Sequence, residues 1–117
     1  MRQYPRQIKR LIRQYAAQIY EAELSQALRE HEQQFRFWHS SQISAEDLNR
    51  RIFDFTHGPA RELWQRYQSG LDDMQVAYAI TTGLLRRDEV PAELLSHLQN
   101  LIAFYEREAA APEAGTK

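Results

Sequence analysis

His31, His39, His57 and His97 are the side chains of this sequence best suited to hold a metal or move a proton near neutral pH. In carboxylate-bridged helical proteins such ligands come as Glu-x-x-His pairs on facing helices. No histidine here has a glutamate three residues before it. Asp54-Phe-Thr-His57 has a related spacing, and Glu93 precedes His97 by one helical turn. Each of these is single, whereas a metal centre needs three or four convergent ligands. We therefore expect no metal and no cofactor. His57 reads as a helix C-terminal residue, where positive charge is favourable. His97 reads as a surface residue beside a leucine stripe, and His31 as a partly buried member of an apolar stripe.

Covalent chemistry finds no better footing. With no cysteine there is no thiolate nucleophile, no disulfide and no cysteine-based zinc site. The six serines fall at caps, loops and helix faces, and no G-x-S-x-G elbow occurs. Four scattered glycines cannot form either nucleotide-binding fingerprint. The carboxylate pairs Glu21/Glu23, Asp72/Asp73 and Asp88/Glu89 fall at helix starts, loops or polar faces, where they cap or are solvated. The expectation is a protein that is not an enzyme.

Charge is distributed unevenly. Arg2, Arg6, Lys9, Arg10 and Arg13 precede the first acidic residue, so residues 1–20 carry +5. The rest has 10 basic and 16 acidic residues, or −6, for a net charge of −1. At 100° per residue, Arg6, Lys9, Arg10 and Arg13 share one side of a helix. Such a side could meet phosphates, an anionic membrane surface or an acidic protein. A duplex-binding domain would be more basic overall. The 13 arginines against 2 lysines also fit a base-composition bias, so arginine preference alone is no mark of phosphate recognition.

These residues need elements to position them, and the composition supplies helices. The chain has 117 residues, 43% apolar and 26% charged, with Leu, Ala, Gln, Glu and Arg abundant. That is enough for one helical domain with its own core. A first helix starts at Pro5 and meets no Gly or Pro before about Trp38, which makes it about 50 Å long. Ser44, followed by Glu46 and Asp47, caps a second helix ending near His57. At Gly58-Pro59 the glycine is expected to close that helix in the left-handed conformation, and the proline opens a third helix to Gln68. Asp72 or Asp73 caps a fourth helix to about Arg86. Its Met74, Ala77, Tyr78, Ile80, Thr81, Leu84 and Leu85 cover more than half its circumference, which predicts the deepest burial. Pro91 opens a fifth helix with the stripe Leu94, Leu95, Leu98, Leu101, Ile102 and Tyr105. The expected whole is all-α, a single bundle-like domain of four to five helices over residues 1–108, with a disordered tail at 109–117.

The long first helix carries two stripes. Ile8, Leu11, Ile12, Tyr15 and Ile19 point one way. Tyr20, Leu24, Ala27, Leu28, His31, Phe35 and Trp38 point about 150° away. Either the helix breaks near Glu21 or its halves face different neighbours. The first stripe could be covered by a second chain, by a folded-back helix, or within a layered array. Of the aromatic residues near Gly58-Pro59, Leu63 and Trp64 are expected in the core, and Phe53 and Tyr67 at the surface.

The function these features support is non-catalytic protein–protein contact, as a homodimer or as a small subunit or adaptor of a larger assembly. The partner-binding residues would be Ile8, Ile12, Tyr15, Ile19, Phe53 and Tyr67. Arg6, Lys9, Arg10 and Arg13 would select an anion or an acidic partner. The alternatives are a nucleic-acid-associated subunit using the same cations, and a helical metal- or ligand-binding protein using His31, His57 or His97. No apolar run reaches the ~18 residues of a membrane span, and no secretory h-region follows the basic start. A cytoplasmic location is expected.

Overall fold

A computed structural model describes residues 3–111. It is all-α, with no strand among the described residues and a long N-terminal helix. The α-helices are α1 (Arg6–His39), α2 (Ala45–His57), α3 (Pro59–Tyr67), α4 (Asp72–Thr82) and α5 (Ala92–Ala110). A 3₁₀ turn spans Arg87–Glu89. α5 runs two residues into the stretch expected as a tail, and residues 112–117 lie outside the described residues. The chain divides into two compact units, Met1–Ile19 with Gly70–Lys117, and Tyr20–Ser69. α1 passes unbroken through Glu21, so the switch of apolar stripe occurs where the units divide. A continuous helix with out-of-phase halves is what two separate cores require.

In the first unit, Ile8, Ile12, Ala16 and Ile19 of α1 are buried, as are Val76, Ala77, Ala79 and Ile80 of α4. Leu94, Leu98, Leu101 and Ile102 of α5 complete the core with Leu85 and Val90. The Tyr15 hydroxyl donates to the Glu89 carbonyl at 3.0 Å, fixing α1 against the 3₁₀ turn. α4 stops at Thr82 rather than near Arg86, because Gly83 turns left-handed at φ 84° and the Leu85 amide reaches back to the Ala79 carbonyl. Tyr78 and Leu84, expected inside, are exposed, and Val76 takes the buried place.

No side chain caps α4. Its N-cap is Leu71, and Asp73 instead lies buried at 3% exposure. One Asp73 oxygen accepts from the Met74 amide and the other from the Tyr4 hydroxyl, each at 2.9 Å. These donors replace the hydrogen bonds to water that burial removes. Tyr4→Phe removes one of them, and is expected to lower unfolding free energy by about 1–3 kcal/mol in urea titration.

In the second unit, α1 closes on Ser41 at φ 63°, with the Gln42 amide bonded to the Phe37 carbonyl at 2.8 Å. Serine here fills the left-handed position that glycine usually takes. α2 opens on a capping box: Ser44 Oγ accepts from the Asp47 amide, and the Asp47 carboxylate accepts from the Ser44 amide. These bonds from Ser44, first from its backbone, hold the Asp47 carboxyl below its ordinary value. The capping contribution is therefore complete above the ordinary carboxylate range and is lost as acid titrates Asp47 below it.

Gly58 joins α2 to α3, with its amide bonded to the Asp54 carbonyl and its carbonyl accepting from the Glu62 amide, both at 2.9 Å. Its φ is −112°, not left-handed as expected. The glycine is required for a different reason: a Cβ would lie 2.8 Å from the Asp54 carbonyl oxygen. Backbone cannot yield as a flexible side chain can, so Gly58→Ala is expected to destabilise the chain by about 1–3 kcal/mol in the same titration.

Candidate functional site

Most of the N-terminal stripe is buried. Ile8 and Ile12 are fully buried and Ile19 is 2% exposed, all within the core of their own unit. Of the cover the sequence left open, that of the chain's own helices is the one realised. Tyr15 is half-buried with its hydroxyl engaged. Ile8, Ile12 and Ile19, expected to meet a partner, instead spend their apolar area within their own unit, while Tyr15 keeps part of its surface open.

Exposed apolar side chains occur in both units: Leu71, Tyr78, Leu84 and Phe104 in the first, and five in the second. Among the described residues of the second unit only Leu48 and Leu63 are buried apolar side chains. Leu28, Phe35, Trp38, Phe53 and Trp64 are all between 39% and 57% exposed. Trp64, expected in the core, is therefore a surface residue. Leu24, Leu28, His31, Phe35 and Trp38 follow one another at alternating steps of four and three, which is the a/d spacing of a helix that pairs with another. The short α2 and α3 leave these positions partly bare. His31 stacks on Phe55 at a centroid distance of 4.4 Å, and its Nε2 is buried with no hydrogen-bond partner among the described residues.

Of the two aromatic residues expected at the surface, Phe53 is exposed and stacks on His57. Tyr67 is half-buried against Tyr20, and its hydroxyl donates to the Glu23 carboxylate. Arg66 reaches the same carboxylate at 3.4 Å.

In the first unit, Arg6, Lys9, Arg10 and Arg13 line a concavity of about 480 Å³. None forms an ion pair with a carboxylate among the described residues. The first turn of α1 contains no acidic residue of its own, and the Asp73 carboxylate is bonded to the Tyr4 hydroxyl just before the helix. Asp72 is the acidic group that feels Arg13. Burial and the neighbouring Asp73 raise its carboxyl above the ordinary value, and the charge of Arg13 opposes them.

A second cavity of about 600 Å³, which sequence reasoning missed, is walled by Leu71, Met74, Leu101 and Phe104, with Asp73 and Arg107 as polar lining. Its walls come from α4, α5 and the residue before α4, so no single stretch of sequence signals it. The histidines do not converge. His97 meets Tyr4 edge-on, His57 lies within 3.0 Å of the Phe53 carbonyl, and no three potential ligands gather among the described residues. No family model, curated protein or solved structure matches this chain.

Proposed function

We propose that this chain is a non-catalytic assembly protein that works by helix-face docking, the second unit of one copy against that of another. The observation that carries this is the contrast between the two cores. Fourteen apolar side chains are buried in the described part of the first unit, against two in the second. A helical unit of fifty residues with so little buried area lacks the hydrophobic stabilisation that offsets chain entropy. A second copy supplies the missing cover.

The spacing supports a copy of the same chain as the occupant. An a/d stripe is self-complementary about a twofold axis, and the residues beside it include the neutral Ser25, Ala27 and Gln34. No like-charge row along that edge opposes pairing. The three exposed stripe residues Leu28, Phe35 and Trp38 offer on the order of 100 Å² each, and a symmetric pair that also covers Phe53 and Trp64 would bury roughly 1,000 Å², the lower bound of a specific interface.

Light scattering on the full chain tests the reading. The expected solution mass is twice the chain mass, and it persists at high salt because the contact is apolar. A single-chain mass at every concentration would overturn it.

A further inference from the structure

We propose that Arg6, Lys9, Arg10 and Arg13 form a binding site for a compact polyphosphate anion of two or three phosphoryl groups. The four cations occupy positions i, i+3, i+4 and i+7 of α1, and so fall on one strip within two turns. They line a single concavity of about 480 Å³. Like charges at these spacings repel, and no described carboxylate lies within ion-pair distance of any of them, although the charge of Asp72 acts on Arg13. A bound polyanion removes that repulsion and gains charge-assisted hydrogen bonds from the guanidinium groups. The positive end of α1, with no acid in its first turn, adds to the same field.

The size and surroundings of the strip select the ligand. From Arg6 to Arg13 the helix rises about 10 Å, the reach of a short phosphate chain rather than of a duplex. A nucleic-acid surface would also need a wider basic footprint than a chain of net charge −1 presents. A membrane surface is disfavoured for another reason. A helix lying on lipid must offer an apolar face beside its basic one, and here Ile8, Ile12 and Ile19 are buried in the protein's own core.

The test is calorimetric titration of the full chain with inorganic tripolyphosphate at low salt. One saturable site per chain is expected, weakening steeply as salt is raised. Arg10→Gln with Arg13→Gln should weaken binding by about tenfold or more, the loss of two charge-assisted contacts. Both residues are exposed, so the double variant should keep its helical circular dichroism and melt no lower than the parent without ligand, with a slight rise as repulsion is relieved. Arg29→Gln with Arg61→Gln, exposed arginines outside the strip, should bind as the parent does. Absence of saturable binding, or equal affinity in the Arg10/Arg13 variant, would overturn the site. Flotation with phosphoinositide-containing vesicles and titration with a short DNA duplex separate the other sources. The site as proposed binds tripolyphosphate without co-floating and prefers it to the duplex. Binding to vesicles or to the duplex in the absence of tripolyphosphate binding would overturn it.

Discussion

If the parent dimerises as proposed, a chain carrying glutamate in place of both Leu28 and Phe35 is expected to run as a monomer at the concentrations where the parent pairs. Leu28 is 50% exposed and Phe35 39% exposed in the isolated chain, one helical heptad apart on α1. Covering the open half of each is worth about 1 kcal/mol, and a symmetric pair repeats the loss, for about 4 kcal/mol or a thousandfold in dissociation constant. Placing carboxylates in a dry interface adds to that, because each would lose its water without gaining a partner. The measurement is sedimentation equilibrium on parent and variant, with circular dichroism to show that the helices persist. A variant that stays dimeric would mean that another surface joins the copies. Gln33→Glu, an exposed position off the stripe, should leave the mass unchanged.

Ile12→Ala is expected to give the opposite pattern. Ile12 is fully buried in the first unit, so truncation removes its transfer energy and leaves a cavity that the neighbouring helices only partly fill. The expected loss is about 2–5 kcal/mol of unfolding free energy, read from the denaturation midpoint at constant slope. The oligomeric mass should not change. Were the variant instead a stable monomer with the parent's midpoint, the N-terminal stripe would be the interface and the core assigned here would be wrong. Together the two variants separate a residue used for folding from a residue used for docking.

Much of the helical order was legible in local chemistry. Ser44 with Asp47 three residues later, Pro59 as the first residue of α3 and Pro91 just before α5 each act within one turn, so the chain alone reveals them. The apolar stripe of α5 was equally readable, since Leu94, Leu98, Leu101 and Ile102 repeat with the helix. What escaped depends on conformation at one residue or on neighbours far away in sequence. Gly83 ends α4 early because it turns left-handed, and nothing in its flanking residues distinguishes it from a tolerated helix glycine. Gly58 drew the right boundary for the wrong reason, as the constraint is an approach to Asp54 rather than a positive φ.

The larger miss concerned which of the two stripes on α1 would find cover. Periodicity gives the direction of a stripe but not what lies opposite it. Ile8 and Ile12 are β-branched, aliphatic and covered, while Leu28, Phe35 and Trp38 are as apolar and half bare. The first stripe meets the buried side chains of α4 and α5, whereas α2 and α3 contribute only Leu48 and Leu63 to the buried apolar side chains of the second unit. The basic strip was visible as a pattern, but the lack of a contact ion pair to it among the described residues was not. That depends on where the acidic residues of the rest of the chain come to lie.

Lysine is scarce in this chain, and Lys9, half-buried in the basic concavity, is the sole lysine before Lys117. Amine chemistry therefore has few places to go. Of the lysines in this sequence an amine-directed acylating reagent can mark Lys9 and Lys117, and peptide mass spectrometry resolves the two. Occupancy of the concavity can thus be followed as the shielding of one primary amine, in mixtures and without any added tag.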